Sequence, residues 1–288
     1  MTLSDKFHQL YSRLEEDPHI AAEIVNLIEN SPESYERAGL QALMYHEGIG
    51  YPADLEKSFE SAEKAADGED PLGYFMLGYM CDNAETPDQA TGGARQKYDH
   101  YDAEHFYELC ARRESRWKDP ALFWLGDYYL DSAAGGDPDI GVEYLESITD
   151  HYVDAAARLS DYFWNLVMPE YFEDDEWRSK LFKWTEIAAR LDPEQYAYRL
   201  GWLYADGIGC EESAGKAVEY FIEAHEYGDR RGAKAAAKVL EEYVERNPDL
   251  SSDELMDFRE EIDRLNKLSD EPYQEQLQND RHPSNEED

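Results

Sequence analysis

The densest run of chemistry-capable side chains in this sequence is Tyr98-Asp99-His100-Tyr101-Asp102-Ala103-Glu104-His105. On a helix, His100 and Glu104 stand four residues apart and share one face, as a pair of metal ligands or an acid and its base would. That is only part of a site, because no HExxH run and no cysteine pair at zinc-ligand spacing accompanies it. A Gly-rich phosphate loop and a Gly-x-Ser-x-Gly nucleophile elbow are missing too. The run is better explained by helix chemistry, with Asp102 as the N-cap and Glu104 near the positive end of the dipole. The expectation is therefore a protein that is not an enzyme and uses no metal or cofactor. An enzymatic reading would rest on His100 and His105.

Charge bears on partners. Lys and Arg number 27 against 66 Asp and Glu, a net charge of -39. This argues against nucleic acid and anionic membranes, both of which require a cationic surface. A basic protein or peptide is the partner that the balance favours, although an acidic surface also serves solubility or a salty host. Aromatic residues make up 13% of the chain, with 22 Tyr and 6 Trp, whereas disordered acidic chains are poor in aromatics. The acid thus decorates a packed scaffold. The opening MTLSDKFHQLYSRL lacks a basic end followed by an apolar run, and nothing approaches the roughly 20 apolar residues of a membrane span. Three cysteines, Cys81, Cys110 and Cys210, give no disulfide framework and fit a reducing compartment. A cytoplasmic location is expected, with Cys81 and Cys110 as reduced core thiols facing each other within one hairpin. The oligomeric state stays open.

The elements that position these residues repeat. A small residue opens Gly201-Trp202-Leu203-Tyr204, and its counterparts are Ala42, Gly78, Gly126, Ser160 and Ala237. Leucine precedes it at Leu77, Leu125, Leu159 and Leu200. Successive anchors lie 36, 48, 34, 41 and 36 residues apart, a repeat of about 36 with two insertions. A second helix follows each of the first five anchors, with core stripes such as Ala103/Phe106/Tyr107/Cys110, Leu181/Trp184/Thr185/Ala188 and Ala217/Tyr220/Phe221/Ala224. Each pair is a helix hairpin that must bury its apolar faces on neighbours. The insertions fall around Asn83 to His100 and Leu166 to Glu176, and both loops should protrude from the same face.

Boundaries carry their own signals. Asp70-Pro71, Asp119-Pro120 and Asp192-Pro193 precede first helices and Asp137-Pro138 a second one, each with Asp as N-cap and Pro in the first turn. The expected organisation is a capping hairpin over 1–35, repeats over 36–240 (about 36–72, 73–120, 121–154, 155–195 and 196–232), a second capping hairpin over 233–268, and a disordered acidic tail over 269–288. The fold class is all-α: an α/α solenoid, or superhelix, of about six to seven antiparallel helix hairpins.

Leu-Gly-x-Leu-Tyr-x-x-Gly-x-Gly followed by Ala-x-x-Tyr-Phe-x-x-Ala, as in Leu200 to Gly228, resembles the Sel-one-like repeat (SLR) family, a branch of the tetratricopeptide-like α/α repeats. Gln41 to Ala66 keeps the glycine turn at Gly48-Ile49-Gly50. Hairpins two, three and four keep the Leu-Gly or Leu-Ser anchor and lose the Gly-x-Gly exit, so they rest on spacing. The resemblance implies a right-handed superhelix of antiparallel helix pairs and an adaptor that holds other proteins, with no catalytic residues to carry over. Its consensus positions are core positions, which name no ligand.

Helix geometry assigns the candidate binding face. With the leucine before each anchor turned inward, positions three before, one after and four or five after it turn away from the core at 100° per residue. These hold Phe75, Tyr79 and Asp82; Phe123, Asp127 and Asp131; Asp161, Trp164 and Asn165; and Tyr198, Trp202 and Asp206. The resemblance implies that this side lines the concave groove. Rings among carboxylates suit a basic, partly apolar segment, unless they simply pack on the adjacent first helix. The basic clusters at Arg112, Arg113, Arg116 and Lys118, and at Arg230, Arg231, Lys234 and Lys238, are candidate internal counter-charges. The leading function is a non-enzymatic interaction scaffold or adaptor. The alternative is an immunity or antitoxin-like protein that plugs the basic site of a toxin such as a nuclease.

Overall fold

The structure, a computed structural model, describes residues 1–86, 100–131, 136–150, 152–168 and 174–270. The inserted loops largely, and the C-terminal tail almost wholly, lie outside these residues. Among the described residues the chain is all helix: α1 (Leu3–Tyr11), α2 (Ile20–Glu29), α3 (Tyr35–Glu47), α4 (Leu55–Asp67), α5 (Pro71–Asp82), α6 (His100–Ala111), α7 (Lys118–Leu130), α8 (Pro138–Glu146), α9 (Val153–Val167), α10 (Asp175–Leu191), α11 (Pro193–Asp206), α12 (Ala214–Glu226), α13 (Arg231–Arg246) and α14 (Ser252–Asp270). The fold class is the expected one, an α/α solenoid type of helix-hairpin stacking. Two compact units divide at Ala155/Ala156.

In the first unit α3 pairs with α4, α5 with α6 and α7 with α8, and α5 also packs on α3 and α4. Phe7 and the Ile20, Ile24 and Ile28 stripe, all nearly or fully buried, join Leu40, Leu43 and Met44 of α3 in one apolar cluster. In the second unit α11 pairs with α12, α12 packs on α13, and α13 on α14. Its core gathers Leu200, Tyr204, Phe221, Ala237, Leu240 and Leu265.

One contact explains the repeat anchor. In four hairpins the small residue of the first helix faces the fourth position after the start of the second-helix stripe. A Cβ added to Gly201 would stand 2.7 Å from the Phe221 ring, and one on Gly126 would stand 2.5 Å from Leu145. Gly78 meets Tyr107 in the same way, with 2.9 Å available. Where the second residue is smaller the first may be larger: Ser160 meets Thr185, hydroxyl to hydroxyl at 2.8 Å. Close packing leaves no slack at such sites, so a bulky residue on one helix requires a small one opposite. The leucines before the anchors, Leu77, Leu125, Leu159 and Leu200, are at most 1% exposed.

Helix ends follow local chemistry with two corrections. Asp70, Asp137 and Asp192 do cap, as when Asp70 accepts from the Leu72 and Gly73 amides at 3.1 and 3.2 Å. Asp119 does not cap, because α7 begins at Lys118 with Trp117 in the cap position. Pro120 fits there because the amides of a first turn have no partner within the helix. Asp102 likewise lies within the first turn of α6, which starts at His100, so its carboxylate meets the dipole without capping it. The α11 exit is as expected: Gly207 closes the helix at φ 62°, in the left-handed region, and its amide returns to the Leu203 carbonyl.

Candidate partner-binding site

Asp82 ends α5, Glu104 and Tyr107 sit on α6, and Trp124, Asp127 and the C-cap Asp131 come from α7. The packing of α6 against both α5 and α7 draws these six residues around one pocket of about 150 Å³. Its floor is aromatic. The rings of Trp124 and Tyr107 are nearly parallel, 5° apart in plane with centroids at 6.3 Å, and Tyr79 meets Trp124 edge-on at 6.1 Å. Its rim is acidic, and the C-terminal ends of α5 and α7 add the negative pole of two helix dipoles. The Tyr129 hydroxyl donates to Glu104, which together with burial raises the Tyr129 pKa.

Six of the sequence-assigned residues lie in this unit. Asp82, Asp127 and Asp131 meet at the pocket. Tyr79 stands behind it, T-shaped on His46 at 5.2 Å. Phe75 is a packing residue that wedges between Trp117 at 5.0 Å and Tyr107 at 5.8 Å. Phe123 turns to Tyr152 at 5.3 Å. Trp124, Glu104 and Tyr107 were absent from the assigned face. Trp124 lies two residues before its anchor, between the core stripe and the outward face. Tyr107 and Glu104 belong to a second helix.

The second unit treats its six residues differently. The Arg231 guanidinium lies 4.1 Å over the Tyr198 ring and pairs with Asp229 at 2.6 Å. The Lys238 ammonium lies 5.8 Å over Trp202, and Arg199 lies 5.1 Å over Trp164 while pairing with Asp161. Tyr198 and Trp202 also pack on Phe221, with centroids at 5.3 and 6.1 Å. Asn165 and Asp206 are exposed. Cations of the chain itself thus already take these aromatic faces, the counter-charge role suspected for Arg231 and Lys238. Arg113, paired with Glu69 at 2.9 Å, and Arg116, paired with Asp5 at 3.6 Å, act likewise in the first unit.

No group of three His, Cys, Asp or Glu among the described residues is placed to hold a metal ion. The side chain of His100 lies outside the described residues, and His105 is exposed. Cys81 and Cys110 form no disulfide and are fully buried, and Cys110 donates to the Trp117 carbonyl oxygen at 3.4 Å. Burial pushes the Cys110 thiol up to about 12, so it remains a thiol. No helix among the described residues is long and apolar enough to cross a membrane.

The Sel1 repeat family model matches residues 32–70, 119–150 and 195–228, which hold α3/α4, α7/α8 and α11/α12. The match includes the third hairpin, which lacks the glycine exit, and leaves out the second and fourth, which carry the insertions. A Sel1 repeat protein from Oxalobacter formigenes has a similar structure, with TM-score 0.56 and 18% identity over 92% of this chain and 98% of that one. So does a protective antigen present in uropathogenic Escherichia coli strains that displays an SLR fold, with TM-score 0.56, 18% identity and 83% of this chain covered. The chain spans about half of that antigen's length, 49%. Three hairpins of this chain match the Sel1 repeat model, set in an all-α solenoid fold of the kind those two structures display.

Proposed function

We propose that this protein is a non-enzymatic scaffold that holds a basic protein or peptide partner, and that the pocket between α5, α6 and α7 is its principal contact. The observation that carries this reading is the convergence of Asp82, Glu104, Asp127 and Asp131 around the Trp124 and Tyr107 rings. Such a site steers a cation by charge and anchors it by an apolar surface, the two ingredients of an interface hot spot. The net charge of -39 extends the steering over the whole molecule. The pocket also sits where the second hairpin departs from the repeat pattern. A consensus position serves stacking, and a departure from it is free to serve a ligand.

The test is equilibrium binding of the full chain to matched peptides of basic, neutral and acidic character, at low and at high salt. The scaffold reading expects saturable binding of basic peptides alone, weakened by salt and by Asp127→Lys. Equal binding of all three sets would end it, as would basic-peptide binding that ignores both salt and Asp127→Lys.

A further inference from the structure

The first helices α3, α5 and α11 of three hairpins end in the same turn. A residue in the left-handed region is followed by one whose amide donates to the carbonyl five residues back: Ile49 to Met44 at 2.9 Å, Glu85 to Met80 at 2.8 Å and Ile208 to Leu203 at 2.9 Å. Two of these exits use the residues that such a turn favours. Gly48 and Gly207 take the left-handed position at φ 74° and 62° with no Cβ to strain, and Ile49 and Ile208, each 5% exposed, seat the turn on the core. The α5 exit departs at both places. Ala84 takes the left-handed position at φ 55°, where a Cβ crowds the backbone, and the place of the isoleucine goes to Glu85.

What seats Glu85 is His46 of α3. Its Nε2 lies 2.8 Å from the Glu85 carboxylate and its Nδ1 3.0 Å from that of Glu47, with the side chain only 12% exposed. A neutral imidazole has one N–H and a carboxylate only accepts, so the imidazolium alone makes both contacts at once. Burial opposes that charge, but the hydrogen bonds to Glu85 and Glu47 outweigh it and raise the pKa.

The charges that act on His46 are negative. Among the described residues neither Glu47 nor Glu85 pairs with a Lys or Arg. From α5 come the Tyr79 ring, T-shaped on His46 at 5.2 Å, and Asp82, whose charge reaches Tyr79. From α1 comes Tyr11, which feels the Glu47 charge. Glu29 of α2 and Lys57 of α4 turn elsewhere: Glu29 accepts from the Tyr51 hydroxyl, and Lys57 lies over Tyr45 while pairing with Asp54.

We propose that His46 is a proton-operated clasp on the α5 exit: as the imidazolium it seats Glu85 where α3 and α11 seat an isoleucine, and on losing its proton it lets the turn through Ala84 open. The sign follows from the partners. A carboxylate that faces a nitrogen lone pair is repelled, and the left-handed Ala84 then loses the contact that offsets its strain. The clasp is closed below pH about 6.5 and opens as pH rises through the raised value. The exits seated by Ile49 and Ile208 have nothing to titrate at that place.

The experiment follows the full chain by NMR between pH about 5.5 and 9, a span that brackets the ordinary histidine value. It reads the His46 ring signals and the exchange of the Glu85, Ile49 and Ile208 amides with water, each relative to its intrinsic rate at that pH. Protection of the Glu85 amide should fall roughly tenfold across the His46 midpoint, the scale of a hydrogen bond to a charged group, while Ile49 and Ile208 keep theirs. Glu85→Ile should abolish the pH dependence at that amide and lower the His46 midpoint. His46→Gln, which keeps an N–H for Glu85 but cannot titrate, should abolish it too. Ala84→Gly should raise the protection of Glu85 at every pH, because glycine enters the left-handed region freely. Glu85 protection that ignores the His46 midpoint, a midpoint at or below about 6.5, or a pH dependence that survives Glu85→Ile would each overturn the clasp. The wild-type titration decides the matter even where a variant does not fold.

Discussion

The Ser160 and Thr185 hydroxyls meet 2.8 Å apart at a position where neither residue has any exposure. They occupy the place that Gly201 and Phe221 fill in a neighbouring hairpin, and they exchange a ring against a hydrogen for a bond between two small polar groups. Ser160→Ala strands the Thr185 hydroxyl and should destabilise the protein by about 1–3 kcal/mol. The double variant Ser160→Ala with Thr185→Val removes both polar groups and should lose less than the two single variants together. Urea unfolding midpoints of the four proteins check this.

The glycine version of the contact gives a steric prediction. Gly201→Ala places a Cβ 2.7 Å from the Phe221 ring, and overpacking of this kind costs about 1–3 kcal/mol. Phe221→Leu, added to Gly201→Ala, should recover part of that loss, because Leu145 already faces the equivalent Gly126. Thermal melts of both variants decide it. Additive losses would mean that the two positions do not communicate.

Two histidines impose opposite pH dependences. Burial, reinforced by the Arg116 charge, pulls His8 down to about 4, and its Nε2 has no hydrogen-bond partner. Its contribution is therefore complete above pH about 6.5 and is lost as pH falls from there toward 4, where the unfolded chain takes up a proton that the folded one refuses. Burial also opposes charge on His46, but hydrogen bonds to Glu85 at 2.8 Å and Glu47 at 3.0 Å outweigh it and raise the pKa. That contribution is complete below about 6.5 and is lost as pH rises through the raised value. Melting temperatures between pH about 5 and 8 should thus show a smaller acid-side loss in His8→Phe and a smaller alkaline-side loss in His46→Gln than in wild type.

The two units should respond differently to loss of their tryptophans. Trp202 and Trp164 already carry Lys238 and Arg199 on their faces, so Trp202→Ala and Trp164→Ala should cost stability and leave basic-peptide affinity within about twofold. Trp124→Ala should lower that affinity by at least roughly tenfold, as loss of an aromatic anchor does. Calorimetric titration of the three variants against one basic peptide separates the outcomes.

The parts of this molecule written locally were legible in the sequence. Leu77, Leu125, Leu159 and Leu200 sit one residue before a small anchor, and a periodic stripe fixes their burial whatever lies opposite. Asp70 and Asp192 cap because a cap depends on three or four adjacent residues. Asp119 misled because an Asp-Pro pair can also stand inside a first turn once the chain has entered the helix earlier. The pocket was half legible. The outward rotation of Asp82, Asp127 and Asp131 follows from helix geometry, but their meeting with Glu104 and Trp124 depends on how α6 lies between α5 and α7, which no single helix encodes. The counter-charges Arg231 and Lys238 were visible only as members of a basic cluster, because Arg231 reaches Tyr198 from another helix, and Arg199 stood in no such cluster.

The central claim is that a basic segment of a partner protein rests in the pocket between α5, α6 and α7. A photo-crosslinking residue at Tyr128, which lines that pocket at partial burial, tests it in the native host. Sequencing of the crosslinked peptide should return a segment that contains basic residues, and Asp127→Lys should abolish the product. Crosslinks to segments without basic residues, or a product that survives Asp127→Lys, would contradict the account.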